Sequence, residues 1–334
     1  MKKIKWAILG AARVNEKIIP AITGSNNGEL IAVGSRRENS AKECVNKFAP
    51  EESKIIKCYT GFDSILNDKE IDAIYIPLSN EEHTETALKA INNKKHVLIE
   101  KPMAIKSKEV ELIIDTAKKN NVKIMEGFMY VFHPQFDRIQ NIIKSGIIGN
   151  VSYAHSMFSF PIQAARFYRI NRSISNGGGA LWDIGPYAIH TIRSCFKENP
   201  KRVYAQSKLN EHGADLSTTG MIDFGSDKKA TFDISFECVR RSEFEIFGQT
   251  GRLKCPQVWQ PEDMPAKIIY STEKLGVKEE VVPTGNHFDL EIKHFNDVIL
   301  KHLNPKLSSE DATWNSKTLE AIQNSILTDK WITL

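Results

Sequence analysis

Cysteine is scarce in this chain. Only five of its 334 residues are cysteines, and no two of them form a Cys-x-x-Cys pair. They are Cys44, Cys58, Cys195, Cys238 and Cys255. A secreted disulfide scaffold needs paired cysteines and a structural zinc site needs closely spaced ones, so we expect neither a disulfide framework nor a bound metal. A reducing cytoplasm is the simplest location for such a chain.

Long apolar runs are also lacking. A membrane-spanning helix needs about 20 consecutive apolar residues, and no run approaches that length. The N-terminal run Trp6–Leu9 stops at Gly10, which makes it too short for a secretory leader. We therefore expect neither membrane anchoring nor export, and we interpret this run as part of a buried first strand.

No charge of one sign dominates the chain. The 45 lysines and arginines nearly balance the 41 aspartates and glutamates, which gives a formal net charge of +4. Basic residues cluster only as short pairs such as Arg36-Arg37 and Arg240-Arg241. A nucleic-acid interface needs a basic stripe together with a recognisable module, so we expect no nucleic-acid partner.

Residues 1–126 show a regular alternation of strand and helix patterns. Five short runs rich in isoleucine and valine are typical of strands buried on both faces. They are Ile4–Leu9, Leu30–Gly34, Ala73–Leu78, Val97–Glu100 and Val122–Met125. The amphipathic helical stretches between them are Val14–Ile22, Asn39–Phe48, Glu81–Asn92 and Ser107–Asn120. This alternation predicts an α/β fold with a doubly wound parallel sheet, that is, a Rossmann domain over residues 1–126.

Residues 127–334 have a different pattern. Strand-like runs are joined by turn signals: Val151–Phe160, Arg202–Lys208, Thr218–Phe224, Ala230–Phe236 and Glu243–Phe247. Because no helix separates the last four, their sheet should be mainly antiparallel. Helical patterns cover Ala180–Phe196, His287–Leu303 and Ser309–Leu327. We therefore expect a C-terminal α+β domain over residues 127–334.

The turn after the first strand contains a single glycine. It reads Gly10-Ala11-Ala12-Arg13-Val14-Asn15, so Ala12 and Asn15 stand where a G-x-G-x-x-G motif has its second and third glycines. Gly10 meets the need for a tight turn, and its position right after the first strand favours a pyrophosphate site at the helix N-terminus. The alternative is an ordinary strand–helix turn.

The end of the second strand bears on the choice of cofactor. Ser35 stands where an NAD enzyme usually has a carboxylate for the ribose 2′-hydroxyl, and Arg36 and Arg37 follow at once. Serine and arginine can bind a 2′-phosphate by charge-assisted hydrogen bonds, whereas a carboxylate would repel it. This favours NADP(H), with NAD(H) possible. The alternative is a solvated basic turn.

Two further motifs lie where ligands bind in such folds. Lys101, in Glu100-Lys101-Pro102, follows a buried strand and so lies at the carboxyl end of the sheet. In the second domain, Gly177-Gly178-Gly179 precedes a helical stretch that carries Asp183 and Tyr187. Residues four apart share one helix face, although Pro186 either kinks this helix or marks its first turn. The alternative is a flexible loop that caps a core helix.

Three segments together resemble the Gfo/Idh/MocA family of oxidoreductases: Glu100-Lys101-Pro102, Gly177–Tyr187 and Met125–Gln135. The branch most like this chain contains glucose–fructose oxidoreductase, dimeric dihydrodiol dehydrogenase, xylose dehydrogenases and sugar-nucleotide 3-ketoreductases. The resemblance covers essentially the whole chain. It implies a Rossmann domain followed by a domain with a large open, mainly antiparallel sheet, through which a homodimer or homotetramer would form.

The resemblance also implies roles for individual residues. Lys101 would contact the nicotinamide ribose and the reacting hydroxyl, Tyr187 would be the acid/base, and Asp183 would hold the substrate or the tyrosine. The expected cofactor site comprises Gly10, Ala11, Ala12, Arg13, Val14, Ser35, Arg36, Arg37, Pro77, Leu78, Asn80, His83, Glu100 and Lys101. The expected substrate site comprises Lys101, Tyr130, Arg169, Asp183, Tyr187 and His190.

The chain departs from the family pattern at several positions. Ala12 and Asn15 alter the phosphate turn, Val131 stands where this branch often has arginine, and Trp182 is bulky at a variable position. These departures bear on the pyrophosphate geometry and on the shape of the substrate pocket.

The implied reaction is hydride transfer between nicotinamide C4 and a secondary alcohol or ketone of a carbohydrate-like molecule. A free tyrosine has a pKa of about 10, so a phenolate base needs a neighbouring cation, which Lys101 can supply. The sequence leaves open which aldose, nucleotide-linked keto sugar, cyclitol or dihydrodiol is the substrate, and in which direction the reaction runs. Two other functions on this fold also stay open: a non-catalytic nucleotide-sensing regulator and an NAD-dependent glycosidase.

Overall fold

The computed structural model describes residues 2–225, 227–259, 265–283 and 285–334. The chain forms two compact units. The first comprises Met1–Met129 and Asn286–Thr313, and the second comprises Tyr130–Gly285 and Trp314–Leu334. In the described residues, every helix is too short or too polar to cross a membrane.

A six-stranded parallel sheet forms the centre of the first unit. Its strands are β1 (Ile4–Leu9), β2 (Gly28–Ser35), β3 (Lys57–Thr60), β4 (Ala73–Ile76), β5 (His96–Glu100) and β6 (Ile124–Gly127). Their order is β3-β2-β1-β4-β5-β6, with each neighbouring pair parallel. The Rossmann architecture expected from the strand–helix alternation is confirmed.

Helices of the first unit connect these strands. They are α1 (Asn15–Thr23), α2 (Ser40–Phe48), α3 (Asp63–Asn67), α4 (His83–Asn92) and α5 (Ser107–Asn120). Helix α5 has the bounds that its periodicity predicts, and it buries Val110, Ile113, Ile114 and Ala117 on one face. Strand β3 and helix α3 are elements that the sequence pattern did not predict. Strand β3 lies at the sheet edge and has no buried residue, so it carries no apolar run.

Helix α9 (His287–Leu300) corrects the expected domain boundary. We expected all of residues 127–334 in the second domain, but Asn286–Thr313 belongs to the first unit. The cause is packing: α9 lies against α1, and the Trp6 indole N–H donates to Asn296 Oδ1 at 2.7 Å. A helix buries its apolar stripe on whichever element fits it, and its place in the sequence does not reveal which one.

A nine-stranded sheet forms the second unit. Its strands are β7 (Val151–Ser159), β8 (Arg202–Leu209), β9 (Asp215–Asp223), β10 (Lys229–Ser235), β11 (Arg241–Gly248), β12 (Gly251–Cys255), β13 (Ala266–Thr272), β14 (Gly276–Val282) and β15 (Ile332–Thr333). Their order is β14-β13-β12-β11-β7-β10-β9-β8-β15. Every described pair is antiparallel except β7 with β10, which is parallel. The expected mainly antiparallel sheet is thus confirmed.

Helices of the second unit include α6 (Pro134–Lys144), α7 (Ala180–Asp183), α8 (Gly185–Phe196) and most of α10 (Ser309–Thr328). The stretch Ala180–Phe196, expected as one helix, is two. The break falls at Ile184, and Pro186 occupies the first turn of α8, where its missing N–H costs nothing. Helix α8 packs on β7 and β10, and α7 packs on β9.

Candidate functional site

The turn between β1 and α1 is held by the residue that replaces its third glycine. Gly10 has a φ of +137°, and its N–H donates to Gly34 O at 2.8 Å. Asn15 is fully buried, and its Nδ2 donates to Gly10 O at 2.8 Å and lies 3.3 Å from Cys44 Sγ. Asn15 therefore ties the turn to the end of β1 and to α2. The expected contact residues Ala11, Ala12, Arg13 and Val14 lie in this turn.

Two exposed arginines follow a buried serine at the end of β2. Ser35 is buried, and its Oγ accepts from the Arg37 N–H at 3.2 Å. The Arg36 guanidinium is 63% exposed and forms an ion pair with Glu82. Glu82 lies in the 3-10 turn Asn80–Glu82, which also contains the expected residue Asn80. Sequence reasoning missed Glu82 because nothing in the sequence reveals that this turn lies beside the end of β2.

His83 connects two loops at the carboxyl edge of the sheet. It is fully buried, with Nδ1 2.8 Å from Pro102 O and Nε2 3.0 Å from Leu78 O. Burial lowers the pKa of His83, although both carbonyl contacts oppose this. A neutral imidazole has a single N–H, so only one carbonyl can accept from it. His83 thus fixes the loop containing Pro77 and Leu78 relative to the turn after β5.

Two carboxyl groups hold the turn that contains Lys101. Glu100 Oε1 accepts from the Tyr75 hydroxyl at 2.5 Å, and Glu126 Oε1 accepts from the Met103 N–H at 2.7 Å. The Lys101–Pro102 peptide bond is cis. Lys101 is 9% exposed and interacts electrostatically with His83. The structure therefore places a nearly buried ammonium at the carboxyl end of β5, where open α/β sheets bind ligands.

A third carboxyl group, Glu291 on α9, lies near Glu100. Glu291 is fully buried, and neither of its oxygens has a hydrogen-bond partner among the described residues. Burial raises the pKa of Glu291 well above its usual value, and the charge of Glu100 adds to this effect. A glutamate inside an amphipathic helix gives no sequence signal of this kind. The described residues contain no group of three or more His, Cys, Asp or Glu suited to a metal ion.

The triple-glycine segment of the second unit passes very close to other backbone. A Cβ on Gly178 would lie 2.1 Å from Arg172 O, and a Cβ on Gly179 would lie 1.9 Å from Asp215 Oδ1. Gly179 also has a φ of +93°. A side chain at either position would clash with its neighbour, so this segment requires glycine for close approach.

Asp183 is the last residue of α7, and two arginines bind its carboxylate. Its carboxylate accepts from Arg166 Nη2 at 2.8 Å through Oδ2 and from Arg169 Nη1 through Oδ1. The Arg166 guanidinium in turn lies 4.8 Å from the centroid of the Phe160 ring. Sequence reasoning identified Arg169 but missed Arg166, although the spacing of three residues between them was a usable signal.

Tyr187 lies in the first turn of α8 and is 6% exposed. Its ring centroid lies 5.7 Å from that of Phe158 and 6.0 Å from that of Tyr130. Arg169 interacts electrostatically with Tyr187. The structure thus brings Arg169, Asp183 and Tyr187 into one cluster, as their assignment to a single site requires.

Tyr130 and His190, two more expected substrate residues, lie together in a buried network. The Tyr130 hydroxyl is 2.5 Å from His190 Nδ1 and 2.9 Å from Thr191 Oγ1. The Trp259 indole N–H donates to Thr191 Oγ1 at 2.8 Å. Both Tyr130 and His190 are 1% exposed, and the Tyr130 ring packs against that of Tyr187. Thr191 and Trp259 were missed, and their separation in the sequence gives no signal.

The two positions of the second unit that depart from the family pattern are internal. Trp182 is fully buried, and its indole N–H lies 2.9 Å from Ile174 O and 3.0 Å from Gln323 Oε1. Val131 is 2% exposed. Trp182 therefore anchors α7 in the core of the second unit.

Comparisons with known proteins agree with this geometry. The model of the oxidoreductase family with an NAD-binding Rossmann fold matches residues 4–128, and that of the GFO/IDH/MocA C-terminal domain matches residues 136–254. An uncharacterised oxidoreductase of Rhizobium meliloti is 32% identical over 100% of both chains. The D-xylose 1-dehydrogenase (NADP(+)) 2 of Haloferax volcanii is 29% identical over 96% of both.

The fold is shared with a solved structure as well. A 3-ketoreductase from Actinomadura kijaniata, in complex with NADP and TDP-benzene, superposes with a TM-score of 0.89 at 24% identity. The match covers 97% of this chain and 98% of that one. The resemblance predicted from the motifs is confirmed, and the chain belongs to the Gfo/Idh/MocA family of oxidoreductases.

Proposed function

We propose that this protein is an NADP(H)-preferring oxidoreductase that interconverts a secondary alcohol and a ketone of a sugar, a sugar nucleotide or a related polyol. The observation that carries the proposal is the cluster of Tyr187, Arg169 and Asp183 in the second unit. It contains a hydroxyl that can exchange a proton, a cation beside it, and a carboxylate that fixes the cation. A positioned tyrosine can act as a general acid or base, and a neighbouring cation favours its ionised form.

The proton step is assigned to Tyr187. When bound, a nicotinamide would supply or accept the hydride at the carbinol carbon. In oxidation, the Tyr187 phenolate takes the proton of the substrate hydroxyl; in reduction, the phenol returns it to the carbonyl oxygen. The Arg169 guanidinium favours the phenolate because an opposite charge nearby stabilises an anion. Asp183 keeps Arg169 in place, and we assign Lys101 to orient the reacting oxygen and stabilise its charge.

The proposed cofactor preference rests on the end of β2. Ser35, Arg36 and Arg37 present a hydroxyl and two cations where an adenosine ribose would lie in this fold. The Glu82 carboxylate, in the 3-10 turn Asn80–Glu82, forms an ion pair with Arg36. The relative from Haloferax volcanii is named for NADP(+), which agrees with this preference.

The substrate class is inferred from the relatives together with the site. One relative is a xylose dehydrogenase, and others are dihydrodiol dehydrogenases and dTDP-sugar 3-reductases. The sugars and diols for which these relatives are named all carry oxygens on neighbouring carbons of a ring. Arg166 and Arg169, each partly exposed, have N–H groups that can donate hydrogen bonds to such oxygens.

We also propose how the protein assembles and where it is located. The nine-stranded sheet carries exposed Tyr153 on β7 and exposed Met221 on β9, and we propose that this sheet forms the interface of a homodimer or homotetramer. Light scattering of the purified protein measures the number of chains. The five cysteines are free thiols, which supports a cytoplasmic location.

The test has two stages. Purified protein freed of nucleotide is titrated with NADPH and with NADH by nicotinamide fluorescence, and then assayed at 340 nm with a panel of aldoses, cyclitols and sugar nucleotides. We expect Tyr187→Phe to lower kcat by about 10²–10⁴-fold, while Tyr153→Phe, which changes an exposed tyrosine, leaves it unaltered. Binding without turnover of any panel member would point to a regulator. Substrate cleavage without net NADPH change would point to a glycosidase.

A further inference from the structure

We infer that Asp215 is a positioning residue of the proposed active site: its carboxylate fixes the glycine segment and the start of α7, and through them Asp183 and Arg169. The inference rests on the proposed function, since it concerns the same cluster. Asp215 is the first residue of β9 and was not among the residues that the sequence singled out. It lies 32 positions after Asp183 in the chain.

The Asp215 carboxylate accepts hydrogen bonds at the beginning of α7. Its Oδ2 accepts from the Leu181 N–H at 2.8 Å and from Thr218 Oγ1 at 2.7 Å. The Ala180 N–H also faces this carboxylate. The first amides of a helix have no partner within the helix, and a carboxylate there also meets the positive end of the helix dipole. A four-residue helix such as α7 has few internal hydrogen bonds, so its conformation depends on such external contacts.

The glycine segment is shaped to admit this carboxylate. A Cβ at Gly179 would lie 1.9 Å from Asp215 Oδ1 and 2.7 Å from the Asp215 nitrogen. Oδ1 therefore lies in the space that a side chain at position 179 would need. The close approach explains why this position has glycine, and it shows that Asp215 and the glycine segment form one structural unit.

Asp183 lies one helical turn from this contact. The Asp183 N–H donates to Gly179 O at 3.3 Å, and the Ile184 N–H donates to Ala180 O at 2.9 Å. The residues that Asp215 holds are thus those that accept from Asp183 and Ile184. A displacement of Gly179 and Ala180 would move the Asp183 carboxylate, and with it the two arginines it binds.

The carboxylate is fully buried and still ionised in large part at neutral pH. Burial raises the pKa of Asp215 to about 6, while the contacts to Thr218 and to the α7 amides oppose the rise. Oδ1 of Asp215 has no hydrogen-bond partner among the described residues, and a buried charge is costly unless its hydrogen bonds are satisfied. Its presence where an apolar residue would pack at lower cost indicates that the carboxylate serves the orientation of α7.

The test combines kinetics with hydrogen–deuterium exchange measured by mass spectrometry. Asp215→Ala removes the acceptor, and Asp215→Asn keeps one acceptor in the same volume. Asp223→Asn is the matched control, because Asp223 ends the same strand and binds Arg202 and Lys229 at 2.9 and 3.0 Å, away from α7. Thr218→Val, which removes one contact to Oδ2, is the milder variant that reports if Asp215→Ala does not fold.

We expect Asp215→Ala to accelerate exchange in the peptide 177–187 about 10-fold or more and to lower kcat by about 10-fold, since small misplacements of catalytic groups are costly. The dissociation constant of NADPH, which binds to the first unit, should change less than about 2-fold. Asp215→Asn should restore most of kcat, and Asp223→Asn should match the wild type.

Faster exchange with unaltered kcat would overturn the inference, as would unaltered exchange in Asp215→Ala or failure of Asp215→Asn to restore kcat. If the wild type turns over no substrate, the proposed function fails, and the exchange measurement alone still decides whether Asp215 orders α7.

Discussion

Removing the carboxylate of Glu82 should tighten NADPH binding. In the structure this carboxylate pairs with Arg36, the first of the two arginines that we assign to the 2′-phosphate. A phosphate that binds Arg36 must compete with Glu82 and is repelled by it. Glu82→Gln removes both obstacles while keeping the shape of the side chain.

The expected magnitude follows from the exposure of the pair. The Arg36 and Glu82 side chains are 63% and 22% exposed, and an exposed ion pair is worth about 0.2–1 kcal/mol. A phosphate dianion about 6 Å from Glu82 adds a repulsion of about 1 kcal/mol in water. The sum of about 1–2 kcal/mol corresponds to about 5- to 30-fold tighter NADPH binding. NADH has no 2′-phosphate, so its affinity should change less than about 2-fold.

Fluorescence titration at low and high ionic strength measures this effect. The gain should shrink at 0.5 M salt, since screening shortens the range of exposed charges to well under about 10 Å. Glu85→Gln is the control: it removes the same charge from an exposed residue that pairs with Lys89 at 2.6 Å. An equal gain for NADH, or no gain for NADPH, would refute the assignment of Arg36 to the 2′-phosphate.

Four further predictions follow from the geometry. Asn15→Gly restores the family glycine but removes the bond to Gly10 O, so NADPH should bind about 3- to 10-fold more weakly in titration; tighter binding would contradict this. Gly179→Ala should lower the free energy of unfolding in urea by about 3 kcal/mol or more because of the clash with Asp215, and an unchanged value would exclude that clash. The pKa of Asp215 in the folded state, about 6, exceeds its ordinary value, so the stabilisation it gives is full below about pH 4 and is lost as the pH rises through 6. Urea unfolding at pH 4 and 7 should therefore show the wild type losing about 2 kcal/mol relative to Asp215→Asn, whereas parallel profiles would refute the shift. Trp182→Phe leaves Ile174 O and Gln323 without the indole donor and should cost about 1–3 kcal/mol in the same assay; an unchanged free energy of unfolding would contradict a role for this donor.

Periodicity was enough to predict most of the first unit. The buried parallel strand β4 is a continuous apolar run, β1 is one interrupted only by Lys5, and α5 has apolar residues on one face and polar residues on the other. The edge strand β3 was not predicted, because none of its residues is buried and its sequence therefore has no apolar run. Helix α9 was predicted as a helix but assigned to the wrong unit, since its apolar face does not specify a partner.

The candidate site was predictable only where a local motif marks it. Lys101, Asp183 and Tyr187 stand in recognisable segments, and the structure brings Asp183 and Tyr187 together with Arg169. Glu82 and Asp215 could not be predicted from the sequence, because their partners are distant in the chain and neither residue belongs to a recognisable motif. Long-range pairing of this kind is decided by the three-dimensional fold and leaves no periodic trace along the chain.

The first unit is built from two stretches of the chain that are far apart in sequence, and this affects how it folds during synthesis. Trp6 and Asn296, which share a hydrogen bond, are separated by 290 positions. A ribosome adding about 5–20 residues per second releases the first 129 residues many seconds before α9 emerges. During that interval the surface of β1 and α1 that α9 will cover is exposed to water. The parallel sheet must therefore wait, partly uncovered, until nearly all of the chain is made, and chaperones have a defined apolar surface to protect.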